Sequence, residues 1–307
     1  MQTVLITGGT GMVGQALTNY LIERGYAVIV LTRSVRKSSR HHLTYAIWDI
    51  EKQYIDPLVF DKANIIVHLA GENVAAKRWT TKRKQVLVDS RVQSGALLVK
   101  CLQENKHQVK TVIAASAIGW YGPDTAASLQ NGFVETDAPD TSFLSTTCQQ
   151  WEQSMLGISA MGIRMVTLRM GIVLNKRGGA LAEFIKPAKL GLATILGPGT
   201  QVMSWIHQQD VCKMILFAVT EPSIHGVYNA VAPMPVTNQQ MVTAVAKKLF
   251  PFQLSVKVPV FILKIVLGEM SIEVLKSAKV SSQKIQAAGF EFDFPNLEIA
   301  LHQILKK

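Results

Sequence analysis

Cysteine is scarce. The three residues in 307, Cys101, Cys148 and Cys212, show neither paired nor metal-like spacing. That excludes a disulfide-stapled secreted fold and a cysteine-built zinc site. No charged leader with a cleavage site precedes the first strand pattern, so no disordered or exported leader is expected. Long hydrophobic runs are also missing: the most apolar late stretch, Val258 to Leu267, contains Pro259 and Lys264 and is too short to span a bilayer. A soluble, reducing compartment follows, which in a bacterium means the cytoplasm. Acids are in the minority, 21 against 32 lysines and arginines, for a formal charge of +11. Such an excess favours anionic partners, among them a phosphorylated cofactor, an acidic substrate or an anionic surface. The basic residues are scattered without a dense run or an RNA-binding signature, so nucleic acid is not an expected partner.

What is present is a globular composition, 48% hydrophobic and 17% charged. Short β-branched runs alternate with amphipathic helical patterns through the first half. Strands are expected at Thr3–Thr7, Val28–Thr32, Tyr45–Trp48, Ile65–Leu69, Thr111–Ala115 and Met165–Leu168. Most are apolar throughout, as in a sheet covered on both faces. Helices are expected at Val13–Arg24, Lys82–Glu104 and Phe143–Ala160. After Gly171, glycine and proline punctuate longer helical stretches, ending in short helices at Ile272–Ala278 and Ser281–Ala288 with Gly289 as a C-terminal cap. The fold class is α/β, a Rossmann-like doubly wound parallel sheet with a smaller, mostly helical C-terminal lobe. The expected division is a nucleotide-binding core over residues 1–235, which includes substrate-lobe insertions after residue 170, and a small helical domain over 236–307.

Chemistry enters at the first strand. Gly8-Gly9-Thr10-Gly11-Met12-Val13-Gly14 follows Val4–Thr7 and precedes a helix, the context that raises a glycine pattern above chance. Gly8 allows a tight turn, Gly11 lets the backbone approach a pyrophosphate at the helix N-terminus, and Gly14 lets the helix pack close to the sheet. The end of the second strand, where an NAD site places an acid, reads Thr32-Arg33-Ser34, followed by Arg36, Lys37 and Arg40. No carboxylate repels a 2′-phosphate there, and a guanidinium can bind one in bidentate fashion. The expected cofactor is therefore NADP(H). Asp49 is placed to meet the adenine edge, and Leu69-Ala70-Gly71 to form a small-residue platform under the nicotinamide half.

Together these residues resemble the extended short-chain dehydrogenase/reductase superfamily, and more narrowly the bacterial epimerase-family proteins of unassigned activity. The resemblance covers nearly the whole chain. It is carried by Thr7–Gly11, His68-Leu69-Ala70-Gly71-Glu72, Arg78-Trp79, Asp89-Ser90-Arg91, Ser116–Gly122, Leu168–Leu174, Ser204–Asp210 and Leu267–Met270. It implies a substrate cleft between the core and a C-terminal lobe of unknown function. It also implies that Ser116 hydrogen-bonds a substrate oxygen.

The resemblance breaks at catalysis. The superfamily's Tyr-x-x-x-Lys pair falls on Leu144 and Cys148, and neither can exchange a proton or hold a fixed charge in the same way. Glu72 and Tyr121 are then the candidates to act beside Ser116, with Glu72 and Arg91 also able to contact the cofactor. Arg169 and His207 are candidate substrate contacts; each also suits a structural role. No metal site is expected. Three functions stay open: an NADP(H)-dependent oxidoreductase acting on a small carbonyl- or hydroxyl-bearing, or anionic, molecule; a non-catalytic NADP(H)-binding sensor or regulator; and a nucleotide-sugar epimerase or dehydratase.

Overall fold

A computed structural model describes residues 1–250 and 252–306. Pro251 and Lys307, both inside the expected C-terminal unit, lie outside the described residues. The central sheet contains β1 (Thr3–Thr7), β2 (Ala27–Thr32), β3 (Leu43–Asp49), β4 (Tyr54–Ile55), β5 (Ile65–His68), β6 (Thr111–Ala117), β7 (Arg164–Met170) and β8 (Gly226–Ala230). Their order is β8-β7-β6-β5-β1-β2-β3-β4. Every pairing is parallel except that of β3 with the two-residue β4. The order reverses direction at β1, which lies between β5 and β2. In sheets of this kind ligands collect at that point, beyond the strands' carboxyl ends.

The helices used below are α1 (Met12–Ile22), α2 (Thr81–Glu104), α3 (Phe143–Ser154), α4 (Gly179–Ala188), α5 (Gln208–Thr220), α6 (Asn238–Leu249), α7 (Val260–Leu267) and α8 (Leu297–Ile304). Side chains alternate across each strand, so β1 serves two cores. Val4 and Ile6 pack with Leu17 and Leu21 of α1 and Met214 and Ile215 of α5. Leu5 packs on the other face with Leu97, Leu98 and Leu102 of α2. Helices on both faces bear out the doubly wound reading.

A third core holds the smaller lobe. It draws Leu174, Leu181, Ile195 and Trp205 from before residue 235, and Met241, Val245, Leu297 and Leu301 from after it. The lobe's core thus starts close to Gly171, where the sequence pattern changes, and takes in segments on both sides of residue 235. It also includes two short parallel pairs, Ile172–Leu174 with Trp205–His207 and Leu192–Leu196 with Leu254–Val258, so it is mixed in structure.

Three local expectations change. The helix expected over Phe143–Ala160 is broken at Met155, and Gly157–Ala160 forms a separate turn. A Cβ on Gly157 would lie 2.7 Å from Val99, so the chain bends to dock closely on α2. In place of the helix expected over Ile272–Ala278, the helix runs Ser271–Leu275. There the Ala278 N–H donates to Val202 and its carbonyl accepts from Ser204 Oγ, and these bonds draw the chain out straight. Strand β8 carried no strong apolar signal and becomes visible only through its partner β7. Gly289, at φ 96°, does close the last short helix: its N–H donates to Gln286 and that of Phe290 to Ile285.

Candidate functional site

The glycine turn sits at the carboxyl end of β1. Gly8 adopts a φ of 67°, and a Cβ there would meet the Leu69 carbonyl oxygen at 2.6 Å. This glycine therefore permits both the turn and the approach of the β5 loop. A Cβ on Gly14 would fall 2.3 Å from the Gly8 oxygen, which explains the close seating of α1. Gly11 is different. Its backbone is extended (φ −76°, ψ 175°), and a Cβ would meet only the Gly8 oxygen, at 3.2 Å. Gly11 is also the N-cap of α1, without a side-chain hydrogen bond to the helix start. An uncapped helix start presents amide N–H groups and the positive end of the dipole to an anion. Thr10 lies exposed in the turn, and Val13 packs against the first core.

Thr7 ties the turn to the next loop. Its Oγ1 accepts from the N–H groups of Leu69 and Ala70, both at 3.2 Å, and donates to His68 Nδ1 at 2.8 Å. His68 is wholly buried, and burial lowers its pKa to about 4, so it is neutral with its proton on Nε2 facing Ser94. The platform at Leu69–Gly71 is therefore fixed from below. Above Gly71 lies Arg91, which donates to the carbonyls of Leu87 (2.8 Å) and Glu72 (3.0 Å) and covers the Trp151 ring at 5.1 Å. Burial pushes the Arg91 pKa down. The Trp151 Nε1 is buried with no partner among the described residues. Glu72 is anchored by its N–H to Ser90 Oγ, and its half-exposed carboxylate pairs with Arg83 at 3.1 Å.

Ser116, buried, is the next-to-last residue of β6. Its hydroxyl donates to Glu152 Oε1 at 2.6 Å. Glu152, on α3, also receives Arg169 at both oxygens, 2.9 and 3.0 Å. Arg169 stacks over Trp120 at 3.6 Å and donates to the Tyr121 hydroxyl at 3.2 Å. Tyr121 has no exposed surface and donates to Asn229 Oδ1 at 2.8 Å; burial pushes its pKa to about 12. Ser116, Tyr121 and Arg169 are thus brought together, but as one buried network in which each has a partner within the chain. Nearby, Gly119 packs on Leu144 and Cys148, the two positions where the superfamily's pair would stand. Burial raises the Cys148 thiol to about 11, which disfavours a nucleophilic thiolate.

His207 lies apart from Ser116, as the N-cap of α5. Its Nδ1 accepts from Gln209 N–H, its Nε2–H donates to Gln303, and its ring stacks on Phe294 at 3.7 Å. It lines, with Met12, Gln15, Lys176 and Arg177, a cleft of about 560 Å³ beside the start of α1. Among the described residues no carboxylate lines that cleft. Arg33 and Ser34 are exposed past β2, and no hydrogen bond or ion pair joins the Arg33 side chain to any described residue. The Asp49 carboxylate accepts from Lys52 N–H, which lowers its pKa.

Several residues that build this site carried no motif. Glu152 and Asn229 join the network across 36 and 108 residues of sequence, distances without periodic signal. Thr7 and Gln208 lie within stretches that carry the family resemblance, but nothing in those stretches signals that Thr7 Oγ1 holds the Leu69 and Ala70 amides or that Gln208 Nε2 donates to the Met12 carbonyl. The one available clue was an acid on the expected catalytic helix with an arginine at a strand end nearby.

Strand order and the glycine turn define a dinucleotide-binding α/β fold of the extended short-chain dehydrogenase/reductase type. The chain belongs to the NAD dependent epimerase/dehydratase family, whose model matches residues 4–230. Residues 258–304 match a domain of unknown function, DUF1731. Relatives include epimerase family protein YfhF of Bacillus subtilis (strain 168), 36% identical over 304 residues, covering 98% of this chain and 97% of that one. Epimerase family protein SAR0825 of Staphylococcus aureus (strain MRSA252) is 34% identical over the full length of both. Among solved structures, human epimerase family protein SDR39U1 (isoform 2), crystallised with NADPH, superposes with a TM-score of 0.86 over 99% of both chains at 27% identity. The UDP-glucose 4-epimerase of Thermotoga maritima, at 20% identity and a TM-score of 0.81 over 99% of this chain and 97% of that one, shares the fold. The superfamily resemblance and the fold class are borne out.

Proposed function

We propose that the protein binds NADP(H) and uses it in hydride transfer to or from a small molecule bearing a carbonyl or hydroxyl, without the superfamily's tyrosine and lysine. The observation that carries the cofactor reading is the uncapped start of α1 at Gly11, held open at the sheet's reversal point by Gly8. The basic cleft beside it, without a carboxylate among the described residues, and the NADPH found with the human relative support the same reading.

The turn Gly8–Gly14, through the amides around Thr10, Met12 and Val13, would hold the pyrophosphate. Arg33 and Ser34 would take the 2′-phosphate, Asp49 the adenine edge, and Leu69, Ala70, Gly71 and Arg91 the nicotinamide half. Bound there, the dinucleotide supplies or accepts the hydride. Arg91 lies over Trp151, one turn of α3 beyond Cys148, and places a positive charge near the position that lacks a lysine. The Ser116 hydroxyl donates its hydrogen bond to Glu152, so its oxygen is left to accept from a substrate hydroxyl. Glu72 has one oxygen engaged with Arg83 and the other free to take up or give a proton. Arg169 and Tyr121 position Ser116 through Glu152.

The test pairs NADPH and NADH titrations with a screen of carbonyl and alcohol classes followed by NADPH absorbance. Turnover that Glu72→Gln abolishes while NADPH affinity is kept supports the reading. Turnover unchanged by that substitution removes Glu72 from it. A second reading, a non-catalytic NADP(H) sensor, is favoured by the internal engagement of Ser116, Tyr121 and His207. Tight NADPH binding with no turnover in the full screen would establish it. Clear preference for NADH would instead revive a nucleotide-sugar epimerase or dehydratase.

A further inference from the structure

Helix α7 reads Val260-Phe261-Ile262-Leu263-Lys264-Ile265-Val266-Leu267, apolar nearly all round. A globular helix of that composition is normally buried. Here only Leu263 is; Phe261, Ile265 and Val266 are each more than 60% exposed. The apolar surface continues from the helix. Leu254 and Val256 are exposed on the preceding strand, and Phe252 is 85% exposed. Leu190 joins them, since Gly191 packs on Phe250 and its carbonyl accepts from Leu254 N–H. This many large apolar side chains exposed along one helix and the strand before it mark an interaction site.

The segments that build the patch carry acidic residues only at their borders. Between Glu221 and Glu269 the chain contains no acid, but it contains Lys247, Lys248, Lys257 and Lys264. Between Glu183 and Asp210 it again contains no acid, but Lys186 and Lys189. Lys189, Lys247, Lys248, Lys257 and Lys264 are all exposed. A second copy of the chain seated on this face would bring lysines against lysines. No described helix is long and apolar enough to cross a membrane. A short apolar helix with projecting aromatic and aliphatic side chains, bordered by lysines, has the chemistry of an interfacial anchor.

We propose that α7, with the adjoining Leu254–Val258 strand, docks the protein onto an anionic phospholipid surface. The apolar side chains enter the boundary between headgroups and acyl chains, while the surrounding lysines face the lipid phosphates. Glu269, next to α7, pairs with Lys84 of α2 at 2.6 Å, which links the docking helix to the nucleotide core.

Vesicle flotation of the full chain tests this with phosphatidylcholine alone and with phosphatidylcholine mixed with phosphatidylglycerol. Partition onto the mixed vesicles should exceed that onto neutral ones by about tenfold and weaken with added salt. Phe261→Glu combined with Ile265→Glu should abolish it, with the circular dichroism spectrum and thermal midpoint kept. Lys257→Glu combined with Lys264→Glu should reduce it by about tenfold. Equal partition onto both vesicle types, or indifference to either pair of substitutions, would overturn the proposal. So would a dimer, seen by light scattering, that Phe261→Glu with Ile265→Glu dissolves, because a second copy would then be the occupant.

Discussion

Ser116 and Glu152 share a 2.6 Å hydrogen bond across β6 and α3, and the same carboxylate holds both nitrogens of the Arg169 fork. The bond sets the direction of the serine proton and ties it to a buried ion pair. A residue expected to meet substrate is therefore also a member of the packed interior.

Removing the two partners should have unequal effects. Ser116→Ala deletes one hydrogen bond and should cost about 1 kcal/mol. Glu152→Gln leaves the Arg169 guanidinium, 2% exposed, without its counter-charge. Breaking a buried pair in that way costs about 3–5 kcal/mol. Urea denaturation of both variants measures the difference, and equal losses would contradict the network.

The sheet was legible because its strands are apolar on both faces, so Val4–Thr7, Val28–Thr32 and Thr111–Ala115 declare themselves without reference to partners. The glycine turn was legible because backbone geometry demands specific residues at fixed spacing. Strand β8 was not: Gly226-Val227-Tyr228-Asn229-Ala230 is short and has a polar residue at the point where Asn229 meets Tyr121. The network at Ser116 escaped for the same physical reason. Its contacts join residues far apart in the chain, and a side chain's choice of partner leaves no periodic trace. The small lobe's core joins segments on both sides of residue 235, a pairing of distant stretches that no single stretch of sequence displays.

Gly11 separates cofactor binding from folding. Its backbone is extended and suits alanine, and the single close contact, at 3.2 Å, is mild. Gly11→Ala should therefore change stability by under about 1 kcal/mol. The added methyl faces the place assigned to the pyrophosphate and should weaken NADPH by about tenfold or more. Gly14→Ala, with its 2.3 Å clash, should lose both stability and binding. Calorimetric titration alongside thermal melts distinguishes the two. If Gly11→Ala binds NADPH normally, the phosphate does not approach there.

Arg33 projects from the end of β2 without an internal partner, so substituting it should leave the fold intact. Arg33→Asp should weaken NADPH far more than NADH, since an acid there repels the 2′-phosphate and accepts from a ribose hydroxyl. Affinities for both nucleotides give the ratio. Equal effects on the two would show that the 2′-phosphate lies elsewhere, and the basic cleft at Lys176 and Arg177 would be the next place to test.

Acid should destabilise the fold through two histidines. Burial holds His68 and His207 at a pKa of about 4, below the ordinary histidine value of 6.5. Between those values the unfolded chain binds more protons than the folded one, so stability is complete above pH 6.5 and is lost as pH falls toward 4. Each histidine accounts for at most on the order of 3 kcal/mol. Asp210 works in the opposite sense. Its buried carboxyl, accepting from the N–H groups of Asp293 and Phe294, is raised to about 6 from 3.8, so the folded state gains stability as it takes up that proton. Urea midpoints should therefore fall between pH 7 and pH 5. Asp210→Asn should steepen that fall by removing the compensating proton. A midpoint independent of pH in both proteins would contradict the neutral, buried state of His68, and with it the Thr7 bond that fixes the Leu69–Gly71 platform.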